Sequence, residues 1–116
     1  MEYTGMERRK FARVVHPFLV YYSALGRENE LDLTQMKNIS MGGALFTTNA
    51  YFEKGTNLAL RIRLPGSKDP VVPVARVIES RHSSSGIRFY DTRVEFSSIN
   101  ESDKKILAQT LQAHFK

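Results

Sequence analysis

Cysteine is absent from this 116-residue chain. That absence excludes a disulfide framework, a thiolate metal site and a cysteine nucleophile. Long apolar runs are absent too. The longest, Phe18 to Tyr22, falls far short of the roughly 20 residues that a bilayer-spanning helix needs. The opening MEYTGMERRK holds no apolar segment of the secretory type. These features set the expectation of a cytoplasmic protein without membrane insertion.

The ingredients of an enzyme are scarce as well. No Walker loop and no dinucleotide fingerprint is present. His16, His82 and His114 stand apart, with no metal-ligand spacing between them. His82, beside a serine run, reads as a solvated loop residue, and His114 as a helix-surface residue. Ser40 precedes glycines, but its surroundings lack the G-x-S-x-G pattern of a nucleophile elbow. No base or orienting acid can be named for it. The expectation is no enzymatic activity, no cofactor and no metal.

What the chain does contain is enough for one compact core. The apolar fraction is 41% and the charged fraction 25%, both ordinary for a globular protein. A chain of this length buries about two-thirds of the surface exposed when unfolded. We therefore read residues 1–116 as a single domain: an arm over 1–15, a barrel over 16–97 and a helix over 100–115. Lys and Arg number 17 against 12 Asp and Glu, a net charge of +5, which favours anionic partners.

Short apolar runs separated by turn residues give the pattern of an antiparallel β domain. Strands are expected at His16–Ser23, Leu31–Ile39, Ala44–Thr48, Leu58–Leu64, Val71–Ser80 and Ile87–Phe96. Leu58, Leu60, Ile62 and Leu64 alternate with Ala59, Arg61 and Arg63, so one face of that strand is apolar. In the last run the apolar parity changes between Ile87/Phe89 and Val94/Phe96, which predicts a bulge or bend near Tyr90 to Thr92. Asn100 then suits a helix N-cap, with Glu101 and Asp103 at the positive end of the helix dipole. Ile106, Leu107, Leu111 and Phe115 recur at three- and four-residue spacing on one face. Six short strands and a terminal helix predict a mainly β fold, a six-stranded antiparallel barrel whose closure removes exposed edges.

Two motifs carry the chemistry. Arg8, Arg9, Lys10 and Arg13 fall within six residues, beside a single acid, Glu7. Alone, such a run reads equally well as a solvated basic tail. Arginine's planar fork, however, pairs with a guanine edge or a phosphate and stacks on aromatic planes. The second motif is Asn38-Ile39-Ser40-Met41-Gly42-Gly43. It reads as a turn between strands. Its Asn and Ser also offer hydrogen-bonding groups, and its glycines let a ligand approach the backbone closely.

The order of these motifs resembles the PilZ domain family, whose pattern is R-x-x-x-R followed by [D/N]-x-S-x-x-G. Arg9 and Arg13 match the first part; Asn38, Ser40 and Gly43 match the second. Tyr51-Phe52-Glu53-Lys54-Gly55, Val74-Ala75-Arg76-Val77-Ile78 and Val94-Glu95-Phe96 extend the similarity over about residues 7 to 112. Arg93 departs from it, standing where the family commonly has glycine before its final strand segment. The resemblance implies a six-stranded barrel with a flexible basic N-terminal arm that binds cyclic di-GMP, a bacterial second messenger. It implies ligand contacts from Arg8, Arg9, Arg13, Asn38 and Ser40, with Gly42 and Gly43 keeping the loop tight. Arg8 is associated there with an intercalated dimer of the nucleotide. Ligand binding would order the arm and signal to a downstream protein partner. The alternatives are a ligand-free PilZ-like protein–protein adaptor and a basic barrel binding single-stranded nucleic acid. Tyr21, Tyr22, Phe89 and Tyr90, which nucleic-acid binding would use, are more simply read as core or half-buried strand residues.

Overall fold

A computed structural model of the protein describes residues 18–84 and 86–114. Six strands follow one another: β1 (Leu19–Ala24), β2 (Asp32–Ile39), β3 (Gly43–Thr48), β4 (Asn57–Arg63), β5 (Val74–Ser83) and β6 (Gly86–Ser98). A helix, α1, spans Glu101–His114. The strands close into an antiparallel barrel in the order β1-β2-β3-β6-β5-β4.

Alternation fills the interior. Leu58, Leu60 and Ile62 of β4 are buried while Arg61 and Arg63 face out. They join Val20, Tyr22, Met36, Ile39, Phe46, Ala75, Val77 and Val94 in one cluster. Each large apolar side chain so buried contributes about 1.5–3 kcal/mol. A chain of hydroxyls also lies inside: Thr92 bonds Thr48 and Ser80, both at 2.9 Å, and Thr48 donates to Ala50 O at 2.8 Å.

Several expectations need correction. The fifth strand starts at Val74, because Pro70 and Pro73 cannot donate to a ladder. Val71 instead makes an isolated bridge with Ile62. No parity change is needed in β6, whose inward residues are Thr92 and Val94. Ile87 and Phe89 simply face out, 86% and 42% exposed. The β5–β6 ladder shifts register between Val74 and Ala75, between Val77 and Glu79, and between His82 and Ser83, where the partner residue in β6 passes from Tyr90 to Gly86; β2 has a further shift between Met36 and Asn38. His82 lies in β5 rather than in a loop, stacked on Tyr90 at 4.8 Å.

The helix start is built as its sequence requires. Asn100 Oδ1 accepts from Asp103 N–H at 2.7 Å, and Asn100 O from Lys104 N–H at 2.9 Å. Asp103 in turn accepts the Val72 N–H at 2.9 Å, tying the helix to the β4–β5 connection. Leu107 and Leu111 enter the same core as Phe18, Leu64 and Val71. His114 packs edge-on against Phe18 at 5.6 Å, so it is not a plain surface residue. Phe115 lies outside the described residues.

Antiparallel pairing sorts the connections to two ends of the barrel. The β2–β3 turn, the β4–β5 connection, the start of α1 and the entry of the chain at Phe18 share one end. The β1–β2, β3–β4 and β5–β6 connections share the other. At that far end Tyr22 donates to Asn49 Oδ1 and accepts from Asn49 N–H, at 3.2 and 3.1 Å. Burial pushes the Tyr22 hydroxyl above the usual tyrosine pKa; the Asn49 N–H opposes the shift and the Asp32 charge adds to it.

Candidate functional site

The site is built on the β2–β3 turn. Ile39 pairs with Ala44, and both are buried in the core. Alternation therefore turns Asn38 and its partner Leu45 to the outer surface. Asn38 is nonetheless only 9% exposed. Its side-chain amide makes no hydrogen bond among the described residues, so its donor and acceptor are available to a ligand.

The turn itself is fully tied. Ser40 N–H donates to Gly43 O at 2.9 Å. Gly42 N–H donates to Ser40 Oγ at 3.1 Å, and Ser40 Oγ–H points at Gly43 O at 3.5 Å. Phe96 N–H donates to Gly42 O at 2.9 Å, which pins the turn to β6. Gly43 is required by close approach: a Cβ there would lie 2.1 Å from Val94 O, backbone that has no room to yield.

The outer face beside the turn carries paired charges. Lys37 Nζ meets Asp91 Oδ1 at 2.9 Å. Arg76 Nε donates to Glu95 Oε2 at 2.8 Å, and Arg81 Nε to Glu79 Oε2 at 2.7 Å. Arg93 pairs by register with Leu45 on one side and Glu79 on the other. The arginine at the family's glycine position leaves the ladder with β3 unbroken, while β5 shifts register opposite it, between Val77 and Glu79.

Asn38, Ser40, Gly42 and Gly43 are brought together. Arg8, Arg9 and Arg13 lie outside the described residues. The point where their segment joins the barrel is fixed, because Phe18 O accepts from Met36 N–H at 2.8 Å. The chain thus enters beside β2, two residues before Asn38. Arg13 is five residues upstream of Phe18, a span of at most about 17 Å of extended chain. Sequence reasoning did not single out Leu45 or the Lys37–Asp91 pair as neighbours of the turn. Their proximity comes from strand register, which no local pattern reveals. Among the described residues no group of three or more His, Asp or Glu side chains comes together to hold a metal ion. No helix among them is long and apolar enough to cross a membrane.

The PilZ domain model matches residues 7–113. No curated protein matches in sequence. Among solved structures, the inhibitor of motility MotI/DgrA from Bacillus subtilis is 25% identical with a TM-score of 0.73. The match covers 88% of this chain and 48% of that one, so this chain spans about half its length. The PilZ domain of YcgR from Escherichia coli, solved with c-di-GMP, is 14% identical with a TM-score of 0.67, covering 92% and 91% of the two chains. The MrkH–c-di-GMP complex of K. pneumonia is 16% identical with a TM-score of 0.68, covering 90% and 51%.

Proposed function

The chain belongs to the PilZ domain family, and from that premise we propose that it is a receptor for cyclic di-GMP. One observation carries this reading. The free Asn38 amide and the tied Ser40–Gly43 turn lie on the barrel face at the end where the arginine-bearing segment joins. The nucleotide complexes of YcgR and MrkH, which share this fold, support it.

In this mechanism Asn38 and Ser40 meet a guanine from the barrel surface. Gly42 and Gly43 keep the backbone flat and close. Arg9 and Arg13 take guanine edges and phosphates through bidentate hydrogen bonds. Arg8 stacks on a base or pairs with phosphate, in the position suited to a second, intercalated nucleotide. A turn held by four hydrogen bonds needs little reordering on binding, which favours affinity. The arginines repel one another until ligand phosphates neutralise them. Binding then orders the arm over the barrel, and the altered surface is read by a protein partner.

Titration calorimetry with cyclic di-GMP tests the reading. Wild type is expected to bind, and the Arg9→Ala/Arg13→Ala double variant to lose tenfold or more, since a charge-assisted hydrogen bond contributes about 1.5–3 kcal/mol. Equal binding by both would remove the arginines from the site. No binding by wild type would overturn the receptor reading.

A further inference from the structure

We propose that Arg93 is an additional ligand-contacting residue, one that the family pattern does not supply. The inference rests on the cyclic di-GMP reading above and names a further contact within that site.

Its basis is a mismatch of charges on the outer face. Three cations there are each matched to an acid: Lys37 to Asp91, Arg76 to Glu95 and Arg81 to Glu79. Arg93 stands opposite Glu79 in the ladder, yet Glu79 is engaged by Arg81. Arg93 has no ion pair or hydrogen bond among the described residues. It is exposed, while Thr92 and Val94 on either side of it are buried, so its side chain is on the outside of the barrel.

Its position completes the argument. Asn38, Leu45 and Arg93 form one row across β2, β3 and β6. Neighbouring strands are about 4.8 Å apart, which separates the Asn38 and Arg93 backbones by about 10 Å. An unspent amide and an unspent guanidinium therefore flank a half-buried leucine. A phosphate-bearing ligand seated against Asn38 lies within reach of Arg93, whose planar fork suits a phosphate or a guanine edge. Glycine at this position would leave that side of the row bare.

Calorimetry with cyclic di-GMP on wild type, Arg93→Ala, Arg93→Lys and Arg88→Ala tests the assignment. Arg88 is an exposed arginine on β6 toward the far hairpin. Arg93→Ala is expected to weaken binding about tenfold, equivalent to about 1.4 kcal/mol, with an unchanged melting temperature. Arg93→Lys should recover part of the loss, and Arg88→Ala should bind as wild type. The wild-type affinity should also fall more steeply with added salt than that of Arg93→Ala. Equal affinities for wild type and Arg93→Ala would overturn the inference while leaving the receptor reading in place. Absence of wild-type binding would remove both.

Discussion

Two short connections rich in serine and glycine lie at opposite ends of the barrel. Ser40–Gly43 joins β2 to β3, and Ser83–Gly86 joins β5 to β6. The first is tied by hydrogen bonds within itself and to Phe96 of β6, and its Gly43 is pressed against Val94. The second is flanked by Ile87 and Phe89, which face solvent, and the ring of Tyr90 stacks on His82. Similar composition therefore serves different ends. Glycine at position 43 is demanded by a neighbouring strand, and the outcome is a turn held in one place on the barrel surface. At the far hairpin the strands project with little packed against their outer side.

The sharpest way to break this contrast is Gly43→Ala. The added methyl meets Val94 O, so β3 and β6 must separate. Thermal denaturation should show a loss at or above the upper end of the about 1–3 kcal/mol that overpacking costs. Ser40→Ala acts on the same turn more gently. It leaves the half-buried Gly42 N–H without its acceptor, at a cost of about 1–3 kcal/mol in chemical denaturation, and weakens cyclic di-GMP binding with it.

At the other end Tyr22→Phe removes both hydrogen bonds to Asn49, for about 1 kcal/mol. The sign of its pH effect follows from the raised pKa. The folded protein holds the Tyr22 proton more tightly than the unfolded chain. Stability is therefore full below the ordinary tyrosine pKa of 10.0 and declines as pH rises through the folded value. Denaturation midpoints across that range should fall for wild type and fall less for Tyr22→Phe. The smallest effect is expected for Ile87→Ser, within about 0.5 kcal/mol by the same measurement, because that side chain is 86% exposed. A large loss there would show that the far hairpin is not the loosely packed region described.

The same contrast explains what the sequence made legible. The β4 alternation and the Asn100 cap are local patterns, and both appear in the structure as read. So does the turn at Ser40–Gly43, because turn residues act within a few positions. The closed barrel followed from the count and spacing of strands. The parity change in β6 pointed to an irregularity a few residues from the one present: the register shifts between Gly86 and Tyr90 rather than at Tyr90 to Thr92, and Ile87 and Phe89 face outward there. The irregularities beside Lys37 and Ile78 depend on partner strands, and no residue type marks them. Gly43's necessity arises from Val94, 51 positions away, and the free state of Arg93 arises from how Arg81 pairs. Such non-local facts need the fold.

Amide chemical shifts, followed by two-dimensional NMR as cyclic di-GMP is added, would test whether the nucleotide is read at the tied end of the barrel. The expected result is saturable shifts at Asn38, Ser40, Gly42, Gly43 and Arg93, with the amides of Ser84, Ile87 and Arg88 unmoved. Saturable shifts confined to the β5–β6 hairpin, or none anywhere, would contradict it.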